Sequence, residues 1–176
     1  QTVKIGVQTW MKENLRVTRA PDGSAIVSYV YNNDPKNETL YGRLYPWESA
    51  MNGSTTEKAQ GICPTGWHIP GDEEVKLLEI AMGMSRSLAD LGNTWRGSPV
   101  GTLLKVGGSS GFDMPLSGLC FFAGSCYNLG VAGYLYTSTM STSGNPWRRC
   151  FDGTSDVGRW DTWPKSYGLS IRCIKN

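Results

Sequence analysis

Residues 3–10, Val-Lys-Ile-Gly-Val-Gln-Thr-Trp, alternate apolar and polar side chains, the period of a strand with one buried face. Asp22-Gly23 and Asn32-Asn33-Asp34-Pro35 read as turns, with the β-prone stretch Ile26–Tyr31 between them. Residues 44–51 read as a short helix, with Pro46 near its first turn and Gly53 as its stop. The clearest helical period spans 72–82, where Val75, Leu78 and Met82 form a stripe flanked by Leu77 and Ala81, and Gly83 supplies the C-terminal stop. From 97 to 111 glycine and serine predict loop. Beyond it the pattern breaks into short β-segments at 112–121, 125–128, 133–138, 147–151, 157–160 and 168–174. The expectation is one α+β domain over residues 1–176, with two helices packed to one side of a mostly antiparallel sheet with long loops.

Composition sharpens this picture. The 22 glycines among 176 residues exceed the roughly 7% of average proteins and predict a chain rich in turns. Seven Trp, eight Tyr and four Phe supply rigid side chains to pin such a chain together. A net charge of +2 and the lack of a basic run argue against nucleic acid or an anionic membrane as the main partner. No apolar stretch approaches the ~20 residues of a membrane span.

His68 is the single histidine and no Cys-x-x-Cys occurs, which excludes His-pair zinc motifs, the Cys₂His₂ arrangement and redox or ribbon pairs. Neither a metal nor a cofactor is expected. Cys63 and His68 could suggest a nucleophile and its base, but no third orienting group is in sight. Asp72-Glu73-Glu74 point in different directions on a helix and cannot converge on one atom; they suit the positive end of the helix dipole. The five cysteines, Cys63, Cys120, Cys126, Cys150 and Cys173, leave at least one thiol free or paired with another chain, while the other four can form two bridges. A hairpin about Ala123 would set Cys120 opposite Cys126; the alternative joins one of them to Cys150 across the sheet.

Six segments in order carry a resemblance: residues 3–16 (Val-Lys-Ile-Gly-Val-Gln-Thr-Trp-Met-Lys-Glu-Asn-Leu-Arg), 41–47 (Tyr-Gly-Arg-Leu-Tyr-Pro-Trp), 63–70 (Cys-Pro-Thr-Gly-Trp-His-Ile-Pro), 111–115 (Gly-Phe-Asp-Met-Pro), 133–139 (Gly-Tyr-Leu-Tyr-Thr-Ser-Thr) and 167–175 (Tyr-Gly-Leu-Ser-Ile-Arg-Cys-Ile-Lys). Together they resemble the Fibrobacter succinogenes major paralogous domain family, which belongs with the C-type lectin-like folds. The resemblance implies a loop-in-loop fold whose chain ends pair as neighbouring strands, a long excursion carrying the binding surface, and a function in binding. It also implies a Cys63–Cys173 bridge from the start of the main helix to the last strand. Gly71 stands where the family commonly has a Thr or Ser helix cap, and Cys120, Cys126 and Cys150 are not general family features. Calcium-dependent sugar sites of such folds are matched only in fragments, Asn145-Pro146 and Trp160-Asp161, with no carboxylate beside the Asn-Pro dipeptide, so no calcium is expected.

The stretch 140–166 carries three Trp, three Arg and three Asp among small polar residues, the composition of a recognition surface. Arg148, Asp152, Arg159, Trp160, Asp161 and Trp163 are expected to face outward, with Cys150 among the ligand-binding set and Trp147 in the core. Lectin-like proteins of this broad kind include the variable proteins of diversity-generating retroelements, in which adenines of a C-terminal coding segment are randomised. An asparagine codon so randomised never gives Trp, Met, Lys, Glu or Gln, and residues 148–156, Arg-Arg-Cys-Phe-Asp-Gly-Thr-Ser-Asp, contain none of these. The functional expectation is therefore a non-enzymatic domain, outside the cell or on its surface, that binds a protein or glycan and is diversified at this segment. An ordinary surface adhesion or glycan-binding module is the first alternative. An enzyme related to the formylglycine-generating oxidases, which would need paired reactive cysteines, is the second.

Overall fold

A computed structural model describes residues 1–121 and 124–176. It shows an α+β chain with a few short helices and two sheets. The first sheet is ordered β1-β2-β10-β3, from Thr2–Ile5 (β1), Gln8–Met11 (β2), Ile174–Lys175 (β10) and Trp67–His68 (β3). The chain ends thus lie side by side, with Ile174 paired to Trp10. Residues 3–10 are a hairpin rather than one strand. Gly6 (φ +58°) takes the first position of the two-residue turn and reverses the chain between Ile5 and Gln8, placing Val7 at the exposed tip.

The second sheet is ordered β4-β9-β8-β7-β5-β6, from Thr94–Arg96 (β4), Val157–Trp160 (β9), Pro146–Phe151 (β8), Gly133–Met140 (β7), Ser117–Cys120 (β5) and Cys126–Leu129 (β6). Its pairs are antiparallel except β5 with β7, which makes the sheet mixed. Instead of two helices, the described residues form five α-helices: Pro35–Tyr41 (α1), Trp47–Ala50 (α2), Asp72–Ala81 (α3), Arg86–Ala89 (α4) and Val100–Leu104 (α5). α5 interrupts the segment expected as loop, and Ile26–Tyr31 makes only the isolated bridge Tyr29–Leu44. No helix among the described residues is long and apolar enough to cross a membrane.

The strand period divides the core. From β7, Leu135 enters one cluster with Trp10, Val75, Leu78, Phe112, Phe151 and Val157, under α3. Its neighbours Tyr134 and Tyr136 enter a second cluster with Trp47, Ile69, Cys150 and Ile171. Cys63 is bonded to Cys173 across 110 residues of chain, tying the loop before α3 to the C-terminal segment. Cys120 and Cys126 are directly opposed in the β5-β6 pair and bonded, and Cys150 is free and buried. The turn expected at Ala123 lies outside the described residues.

α3 begins without a side-chain cap at Gly71; the Glu74 carboxylate instead accepts from the Gly71 amide at 2.9 Å. The acids of its first turn do more than meet the dipole. Asp72 is buried, Glu73 pairs with Arg86, and Glu74 pairs with His68, whose other ring nitrogen meets Asn176. With Cys63 bonded and His68 held this way, the two do not form a nucleophile and base.

Candidate functional site

Cross-strand register builds the site on one face of the second sheet. Trp95 lies opposite Gly158, Gly158 opposite Cys150, and Cys150 opposite Tyr134, so one row crosses β4, β9, β8 and β7. The adjacent row on the same face runs Trp160, Arg148, Tyr136. Glycine at the centre of the first row leaves a depression, because a Cβ at Gly158 would lie 2.6 Å from Trp160 Nε1 and 3.0 Å from Cys150 Cβ. The loop after β9 brings Trp163 across the face, with its ring centroid 5.0 Å from that of Tyr134.

Trp95, Tyr134, Arg148, Cys150, Trp160 and Trp163 line an open cavity of about 430 Å³, with Asn128, Val131, Ala132, Asp152 and Thr162. This lies within the range of ligand cavities, roughly 300–1,000 Å³. Five of the seven residues expected to bind ligand, Arg148, Cys150, Asp152, Trp160 and Trp163, line it. Trp95 (39% exposed) and Val131 (63% exposed) give the mouth an apolar rim. The sequence reading does not include Trp95, Asn128, Val131 or Tyr134, because only the strand register brings them to residues 148–163.

Arg159 and Asp161 do not face outward as expected. Arg159 is 6% exposed and on the opposite face, where it donates to Asp72 from Nη2 (2.7 Å) and Nε (3.0 Å). Its guanidinium lies 3.5 Å from the Trp147 ring centroid, and Trp147 is half-buried rather than fully inside. Asp161 is 7% exposed. Burial works to raise its pKa, but the neighbouring polar side chains of Ser141, Asn93 and Ser143 hold its carboxyl below the usual range.

Arg149, next to Arg148 but on the Arg159 face, donates to Asp72 Oδ1 and Glu79 Oε1, each at 2.7 Å. Arg96 donates to Glu79 Oε2 at 2.8 Å. Burial opposes ionisation of Asp72, yet Arg149 and Arg159 hold its carboxyl well below the usual range. This network clamps α3 to β8, β9 and β4 behind the cavity.

The expectation that Arg148 faces solvent also needs correction. Its side chain lines the cavity but is only 3% exposed, with the guanidinium 3.8 Å from the Trp163 ring centroid. Nη2 makes one long contact, 3.4 Å to Thr162 Oγ1, while Nε and Nη1 have no protein partner. Burial lowers the Arg148 pKa, and it pushes the adjacent Cys150 thiol up to about 11 despite the nearby guanidinium. At neutral pH Cys150 is a neutral thiol, a poor nucleophile. Asp152 is tied into the next turn, its Oδ1 accepting from the amide and hydroxyl of Thr154 at 2.8 and 2.6 Å.

A larger concavity of about 760 Å³ lies among the loops near Tyr29, Glu48, Asn145 and Lys165. Lys165 sits 5.4 Å from the Trp47 ring, and none of the buried arginines lines it. The smaller cavity has the more specific chemistry. Among the described residues no group of three His, Cys, Asp or Glu side chains is placed to hold a metal ion.

No curated protein and no solved structure gives a match to this sequence. The Fibrobacter succinogenes major domain model matches residues 3–175, nearly the whole stretch over which the sheets, the two disulfides and the cavity are built, and the chain belongs to that family.

Proposed function

We propose that this chain is a non-enzymatic ligand-binding domain of the C-type lectin-like kind, acting outside the cell or on its surface, with the cavity on β8 and β9 as its binding site. The observation that carries the reading is the alternation over residues 148–152: Arg148, Cys150 and Asp152 line the cavity, while Arg149 and Phe151 point to the opposite side of the sheet, into the ion network and the core under α3. A fold held by one face can present different side chains on the other. The pairing of the chain ends and the Cys63–Cys173 bond agree with the lectin-like assignment, and two disulfides agree with an oxidising compartment.

The same alternation narrows the diversified-protein version of this proposal. Changes at Arg149, Phe151 or Arg159 would strike the core, and Cys150 is itself packed in the second core cluster, so diversification falls on Arg148, Asp152 and the exposed Thr154 and Thr162. Trp95, Trp160 and Trp163 cannot arise from a randomised asparagine codon, and they form fixed aromatic walls around those positions.

A displayed library randomised at 148, 152 and 162 tests the reading. Most members are expected to fold, as judged by cooperative melting, and some to bind immobilised test proteins or glycans specifically. A matched library at 149, 151 and 159 should be largely unfolded. Equal collapse of both libraries would refute the proposed binding face. The diversified version further requires a reverse-transcriptase gene nearby and a template repeat differing at adenines in the named codons. Without such a repeat, the domain is an ordinary surface adhesion or glycan-binding module, a reading that the exposed Trp95 favours through ring stacking on sugars. The oxidase alternative lacks its paired thiols, because Cys63, Cys120, Cys126 and Cys173 are bonded in two pairs.

A further inference from the structure

Five arginines are buried among the described residues, and four have their charge met by a carboxylate or by amide and carbonyl oxygens, although Arg96 Nε lacks an acceptor of its own. Arg96, Arg149 and Arg159 pair with Glu79 or Asp72. Arg172 donates to Asn14 Oδ1 from Nε (3.1 Å) and Nη2 (2.9 Å), and to the Phe112 carbonyl from Nη1. Arg148 is different. It has no acid partner among the described residues, and two of its nitrogens have no protein acceptor. An uncompensated buried charge is costly to the fold, and this one lines a cavity large enough for a small organic molecule.

We propose that the cavity takes a monocarboxylate carried on a flat apolar stem, its carboxylate paired with Arg148 and its stem lying against Trp160 and Trp163. The proposal rests on reading this face as the ligand site. With Cζ over the Trp163 ring and Nη2 making only a long contact to Thr162, the guanidinium can offer Nη2 together with either Nε or Nη1 as a two-pronged edge to a planar, two-oxygen acceptor. A single negative charge suits this lining better than two: among the described residues Arg148 is the cavity's only basic lining residue, so one charge can pair with it, while a second would find no cation and would face the Asp152 carboxylate. The remaining wall, Trp95, Val131, Tyr134, Trp160 and Trp163, is largely apolar and suits a ring or hydrocarbon. Because Nε and Nη1 are screened from solvent in this state, the half-buried tryptophans must shift as the carboxylate enters. Their fluorescence then reports binding.

The test uses the full chain with hydrocinnamate and its neutral amide as probes, read by tryptophan fluorescence and calorimetry. Hydrocinnamate is expected to bind at least about tenfold more tightly than the amide, and Arg148→Gln should erase that preference. Arg148→Lys, which keeps the charge but loses the two-pronged geometry, should recover only part of it. A short peptide ending in a free phenylalanine carboxylate, compared with its C-terminally amidated form, distinguishes the source. Tight binding of the free-acid peptide assigns the carboxylate to a partner chain's end, whereas its exclusion while hydrocinnamate binds assigns it to a free small molecule. Equal binding of acid and amide, or a preference that survives in folded Arg148→Gln, overturns the anion assignment while leaving the face a ligand site. No binding of any probe overturns the proposal as well, and the library experiment then decides separately whether the face binds anything.

Discussion

Arg148 and Arg149 are adjacent and chemically identical, yet strand geometry gives them opposite energetics. Arg149 satisfies two buried carboxylates, so Arg149→Leu leaves Asp72 and Glu79 short of a partner and should cost about 3–5 kcal/mol, measured by urea unfolding. Arg148 holds a charge in a buried site without an acid, so Arg148→Leu should leave the urea midpoint unchanged or raise it. A fall as large as that of Arg149→Leu would mean that Arg148 is structural. Cys150 gives a further check. With its thiol pushed up to about 11 by burial, it should resist iodoacetamide at pH 8 in the native protein and react once unfolded. Rapid native labelling would show that the cavity floor is open. Much of this was legible in principle, since a two-residue period through 147–151 already separates Arg148 from Arg149. That Arg159 faces inward was not, because its partner Asp72 lies 87 residues away and nothing local announces the pairing.

At the scale of elements, local signals served where local physics decides. α3 is observed within one residue of its expected span, because its apolar stripe, acidic first turn and Gly83 stop all agree. Alternation over residues 3–10 failed, since it fits one strand and a tight hairpin alike until Gly6 is known to reverse the chain. β4 carries too little pattern in three residues to be seen, and Trp95 was lost with it. The most position-specific element is β9, where Gly158 makes room for the Trp160 indole. Gly158→Ala should push that indole aside at a cost of about 1–3 kcal/mol, as overpacking does, and move the Trp160 indole N–H resonance in the NMR spectrum. An unshifted resonance at undiminished stability would show that the depression does not depend on the missing side chain.

For the whole molecule, stability has two long-range ties, one covalent and one ionic. The Cys63–Cys173 bond closes 110 residues of chain and by loop-entropy arguments contributes up to about 4–5 kcal/mol. Cys63→Ala with Cys173→Ala should lower the melting temperature without abolishing the fold, because the two segments the bond joins are also held by the pairing of β3 with β10, Trp67 opposite Lys175 and His68 opposite Ile174. The ionic tie gives a pH signature with a definite sign. Asp72 ionises in the folded protein well below its usual pKa, whereas in the unfolded chain it returns to about 3.9. Between those values the unfolded state binds more protons, so the stabilisation is fully present above the unfolded value and fades as pH falls towards the folded one. Unfolding free energies taken from neutral pH downward should therefore decline from about pH 5. Asp72→Asn should be less stable at neutral pH and show a flatter acid slope. Asp90, lowered by Arg86 and Lys76 at an exposed site, contributes to the same slope, but salt screens it. Repeating the series at high ionic strength should remove the exposed share and leave the difference between wild type and Asp72→Asn standing. If high salt abolishes that difference too, the clamp behind the cavity is open to solvent, and the division of β8 into a structural face and a binding face fails with it.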